Sequence, residues 1–180
     1  MKLIIEACDL SGKTYAIERI AKYFNSGFVL KNSYKPRTKE DSLKIYSQYW
    51  KILSIINKIA GVIILDRFFP SQAVYSYKRG VDEFNSESIN QLDIFCADEN
   101  YIYIYLDTPI DVLFNRFDID GDEYIKKEEL RTLKARYDEF WEITKMTKFK
   151  INTLEKDWLE TLVRELLPFT NLRKKNNENK

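Results

Sequence analysis

Glu6-Ala7-Cys8-Asp9-Leu10-Ser11-Gly12-Lys13-Thr14 gathers an ammonium, two hydroxyls, a glycine and two carboxylates within nine residues. Such a set suits the binding of a phosphate chain. Leu3-Ile4-Ile5 before it is a short apolar run that reads as a strand buried on both faces. After it, Ala16, Ile17, Ile20, Ala21 and Phe24 recur at helical spacing. Strand, glycine-bearing loop, Lys-Thr and helix form the architecture of a phosphate-binding P-loop. Backbone N–H groups of Asp9, Leu10, Ser11, Gly12, Lys13 and Thr14 would point at phosphate oxygens, and the helix N-terminus adds partial positive charge. Lys13 would neutralise the β- and γ-phosphates of ATP, with the Thr14 hydroxyl on Mg²⁺. The usual first glycine of this motif is Ala7, so the backbone there must take an ordinary conformation.

Other chemistries are excluded by composition. The chain has 180 residues and no histidine, which removes histidine acid/base catalysis, Ser-His-Asp triads and histidine metal sites. Cys8 and Cys96 are too few and too far apart for a disulfide framework or zinc knuckle, and Cys8 reads as a small filler in the loop. A net charge of +1 argues against a nucleic-acid partner. No leader is expected ahead of the first strand, and no apolar run reaches membrane-spanning length, so a soluble, cytoplasmic protein without a membrane partner is expected.

The elements that must position these groups alternate along the chain. Strands are expected at Leu3–Ile5, Phe28–Leu30, Val62–Leu65, Tyr101–Leu106 and Phe149–Asn152. Helices are expected over 13–25, 41–60, 86–97, from Pro109 to about 117, 128–144 and 155–167, the last stopped by Pro168. A helix also follows the loop that starts at Phe68. This pattern indicates an α/β fold, a parallel sheet of about five strands wrapped by helices. One domain spans 1–170, with a short lid at about 117–130, and a polar, frayed tail occupies 171–180. Asp66-Arg67 closes an apolar strand, the place where α/β sheets put their ligands.

Three segments resemble the thymidylate kinase and deoxynucleoside kinase branch of P-loop kinases. Glu6 to Thr14 is similar to its E-G-x-D-x-x-G-K-T, and Asp66-Arg67-Phe68-Phe69-Pro70-Ser71 through Tyr75 to its D-R-Y-x-x-S-x-x-A-Y-Q. Tyr105-Leu106-Asp107-Thr108-Pro109 to Arg116 is similar to its Y-L-D-x-x-P-E-x-x-x-x-R. The resemblance implies a three-layer P-loop NTPase fold and an enzyme moving the ATP γ-phosphoryl group to a (deoxy)nucleoside monophosphate, dTMP foremost, with Mg²⁺. It implies Asp9 near the acceptor sugar or the metal, Asp66 near the metal, Arg67 on the acceptor phosphate, Ser71 and Tyr75 beside the acceptor, and Arg116 opening the lid. Lys126, Lys127 and Arg131 stand in for a missing lid arginine. Lys35 and Arg37 replace an absent Arg-Glu-Pro, and Val74 and Ser76 stand where the branch has alanine and glutamine. Dimers are common in the branch, which makes a homodimer one expected arrangement.

Alternatives stay open at this level. Glu6, a carboxylate at a strand end, could serve as base toward a nucleoside 5′-hydroxyl, making the protein a deoxynucleoside kinase. A non-catalytic nucleotide-binding module would also use the P-loop. Tyr49 and Phe69 are the aromatic residues expected to stack on the base. Asp118 to Glu129 imitates a calcium loop with Asp118, Asp120, Asp122 and Glu129 at ligand positions, but its sixth position is Glu123 instead of glycine and no second loop exists.

Overall fold

The computed structural model describes residues 1–32, 38–84 and 86–170, without the side chains of Lys39, Ser42 and Leu43. Lys35, Arg37 and the tail at 171–180 lie outside the described residues. Five strands, β1 (Lys2–Ala7), β2 (Phe28–Lys31), β3 (Ile63–Asp66), β4 (Tyr101–Leu106) and β5 (Thr147–Ile151), form one sheet in the order β2-β3-β1-β4-β5. Among the described residues the strand pairings are all parallel, with Leu3 opposite Ile64 on one side and Ile102 on the other.

Parallel strands need crossover helices, and these bury both faces of the sheet. That is why every residue of β1, β3 and β4 is buried and apolar runs (Leu3–Ile5, Ile63–Leu65, Tyr101–Leu106) make up most of them. Alternation then divides their side chains between two cores. Leu3 and Ile5 point to α1 (Lys13–Tyr23) and α7 (Trp158–Thr170), packing with Ala16, Ile20, Trp158 and Leu162. Ile4 and Leu65 point to the other layer, made by α2 (Lys39–Ile56), α3 (Phe69–Tyr75), α4 (Glu87–Asp98), α5 (Ile110–Asp120) and α6 (Glu129–Ile143). The expected three-layer α/β fold is present. None of the described helices is long and apolar enough to cross a membrane.

Several boundaries differ from the sequence reading, each for a local reason. α2 starts two residues early because Thr38 and Asp41 form a capping box, Asp41 N–H donating to Thr38 Oγ1 at 3.1 Å and Thr38 N–H to Asp41 Oδ2 at 3.2 Å. It stops at Ile56, well before Gly61, as Asn57 turns its amide oxygen to the Tyr101 hydroxyl at 2.9 Å and to Lys2. Pro168 does not end α7, which runs to Thr170. Proline there removes one bond, to the carbonyl of exposed Arg164, where solvent can replace it. Within the expected lid at about 117–130, residues 121–128 connect α5 to α6.

Candidate active site

The loop after β1 is shaped by two left-handed residues, Leu10 at φ 65° and Gly12 at φ 78°. Gly12 supplies that geometry without cost, whereas Leu10 carries a small strain of about 1 kcal/mol. Ser11 Oγ ties the loop back to the Cys8 carbonyl at 2.7 Å, and Gly12 precedes the first turn of α1. Ala7 is still in β1, paired with Leu106, so a glycine is not required there. Cys8 is buried, and burial beside Asp9 pushes its thiol up to about 12, which removes it as a nucleophile. Lys13 Nζ is bonded to Asp66 at the end of β3, and burial together with nearby Arg67 lowers its pKa. Thr14 is exposed at the rim of the same loop.

Beside Asp66, the backbone of Arg67 turns left-handed at φ 64° while its N–H still bonds the Ile5 carbonyl at 3.1 Å. This turn sends the guanidinium across the carboxyl edge of the sheet. Nη2 pairs with Asp9 Oδ1 at 2.5 Å, and Nη1 donates to the hydroxyls of Tyr137 at 2.9 Å, Tyr75 at 3.2 Å and Ser71 at 3.4 Å. Tyr75 in turn donates to Asp9 Oδ2 at 2.5 Å. The P-loop, β3, α3 and α6 therefore meet at one cation that remains 18% exposed.

Glu6 lies behind this cation with no exposed surface. It accepts from the Phe68 N–H at 2.7 Å and the Ser71 hydroxyl at 2.5 Å, with the Tyr137 hydroxyl 3.4 Å away. Burial raises its pKa despite Arg67, Ser71 and the Phe68 amide, which act the other way. A carboxyl whose native pKa exceeds its unfolded value binds more protons when folded, so its contribution to stability falls as pH rises between the two values. Glu6→Gln is expected to flatten the stability–pH curve from about pH 4.5 upward, with its relative gain largest at neutral pH, as urea melts at several pH values would show.

The sequence reading of the aromatic residues needs correcting. Phe69 is fully buried, edge-on to Phe68 and Phe140, and packs in the core. The Tyr49 ring also packs inward, 4.4 Å from Phe68, and only its hydroxyl reaches a polar group, accepting from Asn32 Nδ2 at 2.8 Å. A helical stripe cannot show which ring the sheet will cover. Val74 is core, and Ser76 is spent on the Ala73 carbonyl at 2.7 Å and on Arg136 at 3.0 Å.

The calcium-loop reading is not supported by the arrangement. Asp118 belongs to α5 and pairs with Lys127 at 2.6 Å, while Asp122 accepts from the Tyr124 and Ile125 amides at 2.7 and 3.1 Å. Glu129 accepts from the Lys126 amide at 2.7 Å, and Asp120 ends α5. Among the described residues no group of three or more His, Cys, Asp or Glu converges as a metal site. Lacking the glycine turn, the chain spreads these carboxylates over local amides and lysines.

Of the remaining lid residues, Arg116 Nη1 donates to the Leu10 carbonyl at 2.7 Å, over the phosphate loop. Lys127 and Arg131 lie over the Phe114 ring, and Lys126 is exposed. Lys78 Nζ holds the connector from the other side through the Tyr124 carbonyl at 2.7 Å and Glu129 at 3.0 Å. Tyr137 and Lys134 escaped the sequence reading as site residues. Tyr137 stacks on Tyr105, with ring centroids 5.7 Å apart and planes at 17°, and Lys134 pairs with Asp107. The sequence marks Tyr137 only through the Arg136-Tyr137 pair in the middle of α6.

Comparison with known proteins agrees with this geometry. No protein-family model matches the chain, and no curated protein sequence does. Solved structures do match. The YorR protein of Bacillus subtilis, in complex with phosphorylated GDP, superposes with a TM-score of 0.73 at 21% identity, covering 95% of this chain and 98% of its own. Deoxyadenosine kinase from M. mycoides, with products dCMP and dCDP, gives 0.62 at 17% identity over 92% and 98%. Thymidylate kinase from Candida albicans gives 0.56 at 16% identity over 94% and 92%. The chain thus has the thymidylate and deoxynucleoside kinase-like P-loop fold.

Proposed function

We propose that the protein is an ATP-dependent nucleotide kinase that transfers the γ-phosphoryl group to a (deoxy)nucleoside monophosphate, with dTMP as the first acceptor to test. One observation carries this reading: two cations from different elements meet at the carboxyl edge of the sheet, Lys13 bonded to Asp66 beside Arg67, and Arg67 bonded to Asp9 of the phosphate loop. Two neighbouring cations are what two phosphate clusters need when brought into line. The kinase-fold neighbours support phosphoryl transfer as the chemistry.

The choice of acceptor follows from proton bookkeeping. An oxygen of the monophosphate attacks Pγ as the bond from Pγ to the β-phosphate oxygen breaks, and the attacking oxygen has no proton to lose. A nucleoside 5′-hydroxyl must surrender one to a base. The carboxylates here are engaged: Glu6 is sealed behind Arg67, Asp9 takes Arg67 and Tyr75, and Asp66 takes Lys13. Arg67 would hold the acceptor phosphate, with Ser71 and Tyr75 setting its angle, and Lys13 and the loop amides would hold ATP. Lys35 and Arg37 would add positive charge on the acceptor side, while Arg116, with Lys126, Lys127 and Arg131, would close over the donor.

A hydroxyl and a carboxylate are hard oxygen donors that suit Mg²⁺, which keeps waters and phosphates as its other ligands. Thr14 and Asp66 would hold it, directly or through water. Bound there, the ion would offset charge on the β- and γ-oxygens.

A deoxynucleoside kinase is the second reading, favoured by the raised pKa of Glu6 and by the likeness to deoxyadenosine kinase. ADP release with Mg·ATP and each nucleoside or monophosphate separates the two. Turnover with a monophosphate is expected; turnover with nucleosides alone would overturn the first reading, and none with any acceptor would leave a binding module.

A further inference from the structure

A cavity of about 250 Å³ opens between the start of α4 and the end of α6, and it shares no lining residue with the phosphate loop, Arg67 or their partners. Phe84, Ile89, Phe140 and Ile143 make its apolar wall, and Asp93 and Thr144 its polar side. The Phe84 and Phe140 rings meet at 52°, with centroids 6.2 Å apart, and form a corner. A water molecule in the liquid takes about 30 Å³, so the cavity has room for roughly eight waters or for one ring with a short arm. It is below the usual size of a pocket for a larger ligand such as a nucleotide.

Asp93 is only 5% exposed. Its Oδ1 accepts from the Thr144 hydroxyl at 2.5 Å and its Oδ2 from the Lys145 N–H at 2.8 Å. Two donors suit the ionised form, yet among the described residues no lysine or arginine makes an ion pair with it. Lys145 Nζ turns instead to Asn90 Oδ1 at 2.9 Å, and Lys148 Nζ to the Trp141 and Glu142 carbonyls. Burial therefore raises the Asp93 pKa, although both donors and the two lysines act the other way. A carboxylate taken out of water is expensive to keep ionised unless a cation answers it.

We infer that this cavity binds a small organic cation, a primary amine on a one-ring apolar body, with its ammonium on Asp93 and its ring in the Phe84–Phe140 corner. Three further features favour a cation over an anion. The last turn of α6 carries partial negative charge and ends at Thr144. The opposing start of α4 is already capped, Ser86 Oγ accepting from the Ile89 N–H at 3.3 Å, and carries Glu87 in its first turn. Aromatic faces attract cations as well. A few polar groups set among apolar ones are also what fix a small ligand's orientation.

Amide chemical-shift titration of the isotope-labelled full chain with benzylamine, benzyl alcohol and benzoate tests this. The Lys145 N–H donates to Asp93, so its resonance reports on that carboxylate directly. Benzylamine is expected to shift the Lys145 and Thr144 amides saturably, at least about 10-fold more tightly than benzyl alcohol, and equally well in saturating Mg·ATP. Benzoate should not bind. Asp93→Asn keeps the shape without the charge and should bring benzylamine down to the affinity of benzyl alcohol. Should that variant not fold, the wild-type comparison of the three probes decides alone. Equal affinity for amine and alcohol, a preference for benzoate, or no saturable shift at Lys145 overturns the inference. So does an amine preference that survives in Asp93→Asn, or displacement of benzylamine by Mg·ATP or dTMP. None of these outcomes touches the kinase reading, on which the cavity does not depend.

Discussion

Lys13→Ala is expected to lower kcat by roughly 10²- to 10³-fold or more, the cost of removing one preorganised charge from a phosphoryl-transfer site. The difficulty is separating this from damage to the fold. Lys13 and Asp66 form a pair with side-chain exposures of only 12% and 7%, so deleting the lysine strands a buried carboxylate. Breaking such a pair costs on the order of 3 kcal/mol. Adding Asp66→Asn removes the stranded charge. The double variant should therefore regain thermal stability while its turnover stays lost, a split that steady-state kinetics and thermal melts would display together. Near-normal turnover in Lys13→Ala would refute the kinase assignment.

Arg67 carries the second large effect. Arg67→Ala should raise the acceptor KM by about 100-fold or more and destabilise the protein, since Asp9, Tyr75 and Tyr137 lose a common partner. Arg67→Lys keeps the charge but loses the planar fork that reaches Asp9 with one nitrogen and three hydroxyls with the other. A loss of about 10²-fold in kcat/KM is expected for it. The left-handed backbone adds a control. Arg67→Gly relieves φ 64° and should be more stable than Arg67→Ala by about 1 kcal/mol while equally inactive, measurable by denaturant titration. Equal stability of the two would show that the strain at this turn is negligible.

Local chemistry made much of this legible in the sequence. Tyr101–Leu106 is a six-residue apolar run, and it is a strand over those same residues, because a strand between two others has no solvent face to mark with polar residues. The P-loop was legible because its function depends on consecutive residues. What escaped depends on distant partners. Tyr137 becomes a site residue only when α6 crosses the end of β3, 70 positions from Arg67. Glu6 looked like an accessible carboxylate at a strand end, yet the chain after β3 folds over it and donates Phe68 N–H. Tyr49 and Phe69 had the right type and neighbourhood, and the sheet took their rings.

The segment from α5 to α6 is fastened at two places. Arg116 rests on the Leu10 carbonyl of the phosphate loop, and Lys78, beyond α3, grips the Tyr124 carbonyl and Glu129. Gly121, at φ 64°, lies between these fastenings. Raising one end without the other must bend the chain at that glycine or break the grip of Lys78. Opening one fastening therefore works against the other, and Gly121 is the place where the two ends can part.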